Sequence, residues 1–309
     1  MTKHNIHSWF LVVLIISMGL ASLLFENPLF AGVVVDMPKE GGIEDKLNFN
    51  IPKDGIVALD NPNFDFLYDE EKKDELVLIV SLNNVKKAYP IHILEKHQIV
   101  NDILEEVPIV VTYFPLTGSA HAFLRGEHIF SDSGQVYNSN LVMYDRKTET
   151  YWSQIEGKAI LGELSGQELV SIPVDVIPWN NLKNSQVPIL SEDTGFDYGY
   201  GTEEYKDYSK STKLLFPVEH RNNLFHSKKV VIGIVVNGVA KAYPEEMIRN
   251  FFIDNNNFID EVGGKELIIS RDNEGMINFV ADGEQIANGR DYWFAWYAFH
   301  PDTLIYNFD

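Results

Sequence analysis

The chain has 309 residues, of which 45% are hydrophobic, and it carries 25 Lys and Arg against 45 Asp and Glu, a formal net charge of −20. This length allows a large core, and so acidic a surface repels phosphate backbones, which argues against nucleic acid as a partner. Because the chain has no cysteine, disulfides, thiolate nucleophiles and thiolate-bound metals are excluded, and no cofactor is favoured.

The N-terminus has the character of a targeting segment. Residues 9–25 are almost wholly apolar, and the small residues Ala31 and Gly32 follow at a position suited to cleavage by signal peptidase. The run is long for the core of a signal peptide and short for a spanning helix. We therefore interpret residues 1–31 as a signal peptide or an N-terminal membrane anchor. The rest of the chain is expected to be extracytoplasmic, either secreted or anchored to the membrane.

The next segment, residues 32–74, is rich in Asp, Glu, Pro and Gly and is predicted to form an extended acidic lead-in. After it the pattern changes to strands. Residues 76–80 are an apolar run, Asn83-Asn84 is a turn signal, and residues 85–89 suit a returning strand. Apolar residues at nearly helical spacing from residue 91 onward predict a short helix.

The middle of the chain continues as strands and then becomes irregular. Apolar, β-branched runs predict strands at residues 108–113 and 119–124. Apolar segments at residues 141–144 and 151–154 flank a polar turn, which is the pattern of a hairpin. Residues 191–211 are packed with Asp, Glu, Gly and Tyr, so we predict a long surface loop there.

An internal repeat determines the predicted architecture. Lys-Ala-Tyr-Pro occurs at residues 87–90 and again at residues 241–244, an offset of 241 − 87 = 154. Each copy follows a predicted strand and precedes a predicted helix, and two copies are too few for a solenoid. We predict an α+β, β-rich fold with one pseudo-duplicated domain over residues 75–309. The strand–helix–strand repeat defines halves of about 76–160 and 230–309.

Several stretches carry a family resemblance when they are taken in order along the chain. They are Ala58-Leu59-Asp60-Asn61-Pro62, Lys87-Ala88-Tyr89-Pro90, His97-Gln98-Ile99-Val100-Asn101-Asp102, Val110-Val111-Thr112-Tyr113, Tyr137-Asn138-Ser139-Asn140-Leu141-Val142-Met143-Tyr144-Asp145-Arg146, Tyr151-Trp152-Ser153-Gln154, Leu215-Phe216-Pro217-Val218 and Ala298-Phe299-His300-Pro301-Asp302-Thr303. Together they resemble the DUF3179 family, a group of exported or membrane-anchored proteins without an established activity. The resemblance runs from about residue 56 nearly to the end of the chain.

The chain departs from that family at one loop. Where the family typically carries Cys-Pro-Leu-Cys-Gly-Ser, this sequence has Phe114-Pro115-Leu116-Thr117-Gly118-Ser119. Phe114 and Thr117 replace the two cysteines, so redox exchange, soft-metal binding through thiolates and a local disulfide are excluded at this loop. Either the family's function does not need the thiols, or this member has lost or changed it.

Histidines near this loop are the first candidate site residues. His97 lies in or just after the first predicted helix, and Phe251 takes its place in the second copy. One hypothesis gives this histidine a functional role as a general base, a metal ligand or a switch. The alternative is a polar core residue that is hydrogen-bonded to the backbone. His121 follows Ser119 by two residues, so one hypothesis pairs its imidazole with the hydroxyl of Ser119 or Thr117 as an activated nucleophile. An exposed strand histidine is the alternative, because no Gly-x-Ser-x-Gly motif is present.

The remaining candidates are two histidines and one aspartate. His220 and His300 fall in or beside family-like stretches. With His97 they suggest a three-histidine metal site, or they have independent structural roles, since no local ligand pair joins them. Asp102, like two other aspartates, flanks a turn. One hypothesis is that paired carboxylates serve as the acid and the base of glycoside hydrolysis. The alternative is that the aspartate caps the turn, which is the commoner role.

Two functional hypotheses follow from the sequence. The favoured one is an exported or membrane-tethered domain of the DUF3179 type with a binding or structural role, in contact with the membrane through its N-terminal segment if that segment is uncleaved. The alternative is a metal-binding protein or enzyme with its site in the first repeat half, around His97 and the loop of residues 114–119. The candidate site residues are His97, Asp102, Thr117, Ser119, His121, His220 and His300.

Overall fold

The structure, a computed structural model, describes residues 42–49, 51–66, 68–200 and 205–307. Strands predominate over helices, at 43% against 14%, which confirms the β-rich prediction. The predicted signal peptide or anchor, residues 1–31, lies outside the described residues. Within them, no helix is both long enough and apolar enough to cross a membrane.

The bounds of the elements follow in chain order. The first fifteen strands are β1 (Asn48–Phe49), β2 (Leu59–Asp60), β3 (Phe64–Asp65), β4 (Leu76–Leu82), β5 (Val85–Pro90), β6 (Ile99–Leu104), β7 (Val107–Phe114), β8 (Ser119–Leu124), β9 (Phe130–Tyr137), β10 (Asn140–Asp145), β11 (Tyr151–Ser153), β12 (Lys158–Leu161), β13 (Val170–Ile172), β14 (Val174–Pro178) and β15 (Ile189–Leu190). The others are β16 (Val230–Val236), β17 (Val239–Pro244), β18 (Asn257–Val262), β19 (Lys265–Arg271), β20 (Ile277–Ala281), β21 (Glu284–Ile286), β22 (Asn288–Tyr292) and β23 (Leu304–Ile305). The helices are α1 (Ile43–Lys46), α2 (Ile91–His97), α3 (Lys206–Lys210), α4 (Glu245–Asp254) and α5 (Trp293–Phe299), with short 3-10 helices at Glu70–Lys72 and Trp179–Leu182.

Hydrogen bonding arranges the described strands into four sheets. The largest has nine strands, in the order β2-β6-β7-β8-β22-β16-β17-β23, with β13 paired to β8. Two five-stranded sheets have the orders β1-β9-β10-β11-β12 and β14-β4-β5-β15-β3, and a four-stranded sheet has the order β18-β19-β20-β21. The short strands of the lead-in take part, since β1, β2 and β3 pair with β9, β6 and β15.

The nine-stranded sheet joins the two predicted halves of the chain. Strand β8 from the first half pairs antiparallel with β22 from the second, and Ala120 lies opposite Arg290. On its other side β22 pairs antiparallel with β16. Successive side chains on a strand point to opposite faces, so this junction presents two different surfaces at the same place in the fold.

Both faces of the sheet are covered near the junction. On β7, Ile109 and Val111 pack into one hydrophobic cluster, while Val110 and Phe114 pack into a second. A strand that is buried on both faces is expected to be continuously apolar rather than alternating, as the run of residues 108–113 is. Polar side chains on these central strands therefore need partners inside the protein.

The helices bear out part of the sequence-based prediction. Both helices predicted after Lys-Ala-Tyr-Pro are present, as α2 and α4. The segment predicted to be a loop over residues 191–211 contains α3, a five-residue helix whose polar sequence has no apolar periodicity, although its Tyr208 is 2% exposed. The C-terminal aromatic run, predicted as core packing, forms α5 and buries five of its residues.

Candidate functional site

Asp102, a candidate carboxylate, is fully engaged by two residues of β5. Nζ of Lys87 donates to Oδ1 and Oδ2 of Asp102 at 3.0 and 2.8 Å, and the hydroxyl of Tyr89 donates to Oδ2 at 2.7 Å. Asp102 itself is 3% exposed. A buried carboxylate is stabilised when both of its oxygens are hydrogen-bonded to a cation or a hydroxyl. Asp102 therefore has a structural role in this fold.

The second Lys-Ala-Tyr-Pro motif has the same arrangement. Nζ of Lys241 lies 2.6 Å from Oδ2 of Asp260, and the hydroxyl of Tyr243 donates to the same oxygen at 2.6 Å. Asp102 and Asp260 both lie on the strand that follows the helix, β6 in one case and β18 in the other. The lysine and tyrosine of each motif thus hold an aspartate, which gives the repeated motif a physical explanation.

His97 is the last residue of α2 and is 0% exposed. Its Nδ1 lies 2.7 Å from the carbonyl oxygen of Val57, and its Nε2 lies 2.6 Å from the hydroxyl of Tyr200. Because the carbonyl can only accept, Nδ1 carries the proton and Nε2 accepts from Tyr200. The Tyr200 hydroxyl then accepts from Oγ1 of Thr194, 2.6 Å away. A neutral imidazole therefore ties the loop of residues 194–200 to the helix.

The surroundings of His97 favour this neutral form. The rings of Phe196, Tyr198 and Tyr200 lie 5.4, 5.1 and 5.9 Å from the His97 ring, centroid to centroid. Burial lowers the pKa of His97, and the hydrogen bond to Val57 opposes this effect only in part. Both ring nitrogens are occupied, which leaves neither for a metal ion.

Thr117 and Ser119 belong to a buried polar network, which we define as Thr112, Thr117, Ser119, Asn140 and Gln154. All five residues are 0% exposed. The Ser119 hydroxyl and Nδ2 of Asn140 donate to Oγ1 of Thr117 at 2.8 and 2.9 Å. Nε2 of Gln154 donates to Oγ1 of Thr112 at 2.9 Å. Hydrogen bonds in such a low-dielectric interior hold the side chains of the loop, although Oδ1 of Asn140 has no hydrogen-bond partner among the described residues.

The network gives Ser119 a partner other than His121. Ser119 donates its proton to Thr117, whereas Nε2 of His121 is directed at Asp291. Among the described residues, no hydrogen bond joins His121 to Ser119 or to Thr117, although a hydroxyl nucleophile and its base are normally in hydrogen-bond contact. His121 is 7% exposed, so it is a buried strand residue rather than an exposed one. The geometry is that of a packed polar core.

His121 and Asp291 lie on the same face of the nine-stranded sheet, and together with His300, which directly follows α5, we call them the histidine–aspartate cluster. Nε2 of His121 donates to Oδ1 of Asp291 at 3.1 Å, and His300 interacts electrostatically with the other two residues. Asp291 is 0% exposed, and its Oδ2 has no hydrogen-bond partner among the described residues. The cluster therefore contains a buried acceptor that the rest of the fold leaves unsatisfied.

Burial determines the charge of His300. It lowers the pKa of His300 to about 4; Asp291 raises this pKa and His121 lowers it further. The His300 ring packs against the indole of Trp296, with centroids 4.1 Å apart. At neutral pH the imidazole is uncharged, so one ring nitrogen presents a lone pair to a proton donor or a cation.

Two glycines make room for these rings. Gly233 on β16 and Gly289 on β22 are direct partners in the sheet. A Cβ at Gly289 would collide with the imidazole of His121, and a Cβ at Gly233 would collide with the indole of Trp296. Because neither position has a side chain, both rings pack directly on the backbone of the sheet.

The other predicted residues lie apart from this cluster. His220 is exposed in an irregular segment, and both nitrogens of His97 are engaged elsewhere. In the part of the chain that the structure describes, no group of three or more His, Asp and Glu residues is placed to hold a metal ion. A shallow depression of about 290 Å³ beside β12 is lined by none of the predicted site residues.

Fold and site together define a β-rich domain of several sheets, in which one shared sheet carries a buried polar site at its centre. The chain belongs to the DUF3179 family: the family model, described as "Protein of unknown function (DUF3179)", matches residues 53–290. This match confirms the resemblance on which the sequence-based prediction rested, and the cysteine-free loop sets this member apart from the family pattern. No curated protein and no solved structure matches the chain significantly.

Asp291 was not predicted from the sequence. It lies outside the family-like stretches, and 170 positions separate it from its partner His121. Locally it is one polar residue of the short strand β22, which carries no catalytic or metal-binding motif. The cluster also draws on both halves of the chain, whereas the alternative hypothesis from the sequence placed a site in the first half alone.

Proposed function

We propose that this protein is an exported or membrane-tethered domain that binds a cationic ligand at the histidine–aspartate cluster. The observation that carries the proposal is Oδ2 of Asp291, a buried carboxylate oxygen without a hydrogen-bond partner among the described residues. A buried polar group in this state costs free energy, which a bound donor or cation recovers. This observation supports the binding role that the sequence favoured, with a cation as the ligand.

The charges around Asp291 select a cation. His300 is uncharged because burial lowers its pKa to about 4, so its ring offers an electron pair, as Oδ2 of Asp291 does. A ligand that meets both groups must donate protons or carry positive charge. The formal net charge of −20 adds a long-range attraction for cations.

Two kinds of cation suit these groups, a divalent metal ion and an organic ammonium. Calorimetric titration of the full-length chain with Zn²⁺ in one arm and ethylammonium in the other distinguishes them. We expect saturable binding in one arm and at least about a tenfold loss of affinity in Asp291→Asn, which keeps the side-chain shape and removes the charge. Asp302→Asn, a change at an exposed carboxylate near the same end of the chain, is the matched control and should bind like the wild type. Binding in neither arm, or equal binding by Asp291→Asn, would show that the proposal is wrong.

Of the two kinds of cation, the metal ion is favoured by the uncharged imidazole of His300. Two imidazoles and a carboxylate are common ligands of Zn²⁺. Since no described group of three such residues is already placed to hold a metal ion, His300 would have to move toward Asp291 on binding. A response to Zn²⁺ together with no response to ethylammonium would select this candidate.

The export part of the proposal is supported by the apolar residues 9–25 and by the family resemblance. Alkaline phosphatase, which is active only after export, provides the test when it is fused to the C-terminus and expressed in a bacterial host. We expect an active fusion, and an inactive one when residues 2–31 are deleted. Activity that does not depend on residues 2–31 would contradict the targeting role of this segment.

The pseudo-duplication of the domain is also part of the proposal. It is supported by the two aspartates, Asp102 and Asp260, that the equivalent lysines and tyrosines hold in the same way. It is further supported by the order of strand, motif, helix and strand around each copy. Under this interpretation the binding cluster lies where the two copies share a sheet.

A further inference from the structure

A short segment of the lead-in is fastened to strand β9. We call this segment, residues 51–56, the strap. The backbone N–H of Ile51 donates to the carbonyl of Gly134 at 3.2 Å, and that of Asp54 donates to the carbonyl of Asp132 at 3.0 Å. Both acceptors lie where the pairing of β9 with β10 shifts register. A bulge of this kind takes backbone groups out of the ladder, and here the strap binds them.

Gly134 allows the strap to lie directly on β9. Its φ of +75° is in the left-handed region that favours glycine. A Cβ at this position would collide with the carbonyl oxygen of Ile51. The strap therefore packs on the bare backbone of the strand, at the residues that adjoin Asp132.

The carboxyl group of Asp132 is buried and incompletely hydrogen-bonded. Asp132 is 2% exposed, and its Oδ1 accepts from the N–H of Gly134 at 3.0 Å. Its Oδ2 has no hydrogen-bond partner among the described residues. An ionised Asp132 would therefore carry charge on a buried oxygen that has no donor, whereas the protonated form is neutral.

The strap contributes a second carboxylate, that of Asp54, which disfavours ionisation further. Burial raises the pKa of Asp132 to about 7; hydrogen bonds from the N–H groups of Gly134 and Ile56 lower it, and the charge of Asp54 raises it. The Tyr144 hydroxyl lies 2.8 and 2.9 Å from Oδ1 and Oδ2 of Asp54, which keeps this carboxylate in place beside β10. Two like charges would thus face each other across the contact if Asp132 ionised.

The other charged groups on the elements next to Asp132 are engaged in contacts of their own. Burial raises the pKa of Tyr144 to about 12, so its hydroxyl stays protonated at neutral pH. The remaining contacts are Lys53 with Glu149, Arg146 with Asp60, Lys87 with Asp102, and Asp145 with Thr148. The printed contacts of these groups therefore leave Asp54 as the charged neighbour that acts on Asp132.

We propose that Asp132 is a proton-controlled latch for the strap, which is fastened when the carboxyl group is protonated and loosened when it ionises. Ionisation releases the proton to water and places a charge on Oδ2. Opening of the strap then moves Asp54 away and lets water reach this oxygen, so the open form is favoured by the ionised state. The latch does not depend on the cation proposed for the histidine–aspartate cluster.

The position of the strap gives the latch a consequence for the whole chain. The strap lies between the apolar residues 9–25 and the first long strand, β4. Release of its six residues adds about 20 Å of free chain, at about 3.3 Å for each residue. If the N-terminal segment is an anchor, the latch therefore sets how far the domain can move from the membrane.

The test is amide hydrogen exchange of Ile51 and Asp54 in the full-length chain, with each rate divided by its intrinsic rate. The pKa of Asp132 is raised above the value of about 3.9 that an aspartate has in the open form. Fastening is therefore complete below that value and is lost as the pH rises through about 7. We expect the protection of both amides to fall about tenfold or more between pH values of about 5.5 and 8.5.

Asp132→Asn keeps the shape of the side chain and stays neutral, so its protection should change less than about twofold over the same pH range. Asp302→Asn, at an exposed carboxylate, is the matched control and should behave like the wild type. An equal fall in Asp132→Asn and in the wild type would overturn the proposal. So would strap amides that exchange as slowly as the amide of Tyr113, which is bonded to Gln98 in the sheet, because the strap would then open only when the domain unfolds.

A second variant and a second measurement keep the test decisive if Asp132→Asn does not fold. Asp54→Asn removes the charge that faces Asp132, so the protection should fall less with pH than in the wild type. In ¹³C spectra of the side-chain carboxyl groups, Asp132 should titrate with a midpoint of about 7. A midpoint near the ordinary value of about 3.9, or an undiminished fall in Asp54→Asn, would contradict the latch.

Discussion

Thr117 stands at the centre of the buried polar network, at a position where the DUF3179 family typically carries a cysteine. Its Oγ1 accepts from Ser119 and from Asn140, and neither donor reaches water. Phe114, the other replacement, is 1% exposed within a hydrophobic cluster. The two substitutions are therefore accommodated in different ways, one by hydrogen bonding and the other by apolar packing.

Thr117→Val is the sharpest test of this network. Valine keeps the shape of the side chain and removes the acceptor, so the donors of Ser119 and Asn140 are left buried and unpaired. We expect the free energy of unfolding to fall by about 2–4 kcal/mol, measured by urea denaturation. Thr212→Val, at an exposed threonine, should change it by less than about 0.5 kcal/mol. An equal effect of the two changes would contradict the role given to Thr117.

At the scale of elements, each Lys-Ala-Tyr-Pro strand is joined to the strand after its helix through one aspartate. We expect Asp102→Ala and Asp260→Ala each to lower the free energy of unfolding by about 2–4 kcal/mol, because each leaves a partly buried lysine without its ion-pair partner and a tyrosine hydroxyl without its acceptor. Asp302→Ala, at an exposed carboxylate, should have little effect in the same urea titrations. A large loss for only one of the two motif partners would argue against their equivalence.

A second prediction at this scale concerns the hydrogen bond between His97 and Tyr200, which joins α2 to the loop of residues 194–200. Burial lowers the pKa of His97 in the folded state, so folding favours the neutral form. Its contribution to stability is complete above the unfolded pKa of about 6.5 and is lost as the pH falls through the folded value. The loss is at most about 1.4 kcal/mol for each pH unit.

The measurement is the difference in free energy of unfolding between the wild type and His97→Gln at several pH values. We expect this difference to be constant above pH 7 and to fall as the solution becomes more acidic, because glutamine does not titrate. His220→Gln, a change at an exposed histidine, controls for the general effect of losing a histidine. A difference that does not depend on pH would show that His97 is not held neutral.

Local elements were predictable from local patterns. Strands β4, β5, β7 and β8 follow the apolar runs closely, and α2 and α4 begin directly after Pro90 and Pro244, where the spacing of apolar residues changes. Helix α3 was missed because its five residues are mostly polar and carry no periodic signal. The periodicity of apolar residues indicates which face of a segment is buried. A segment of five residues is too short to show such a periodicity.

At the scale of the whole molecule, the site depends on a pairing that no local pattern specifies. Strands β8 and β22 are adjacent in space and 170 positions apart in sequence at the contact between His121 and Asp291. The sequence marked His121 and His300 separately as candidates but not Asp291, which interacts with both. The paired glycines, Gly233 and Gly289, also acquire a role only when the two strands are placed side by side.

The junction presents different side chains on the two faces of one sheet. His121 and Asp291 point to one face, and Ala120 and Arg290, which are sheet partners, point to the other. Alternation along β8 and β22 produces this contrast, since neighbouring residues point to opposite faces. A change that shifts the pairing of these strands should therefore separate His121 from Asp291.

Binding of a cation at the histidine–aspartate cluster can be observed in long-range ¹H–¹⁵N spectra of the nine histidines. On titration with the cation that binds in calorimetry, we expect saturable shifts of the imidazole nitrogens of His121 and His300. We expect no such shifts in Asp291→Asn. Shifts confined to other histidines, or the same shifts in Asp291→Asn as in the wild type, would contradict it.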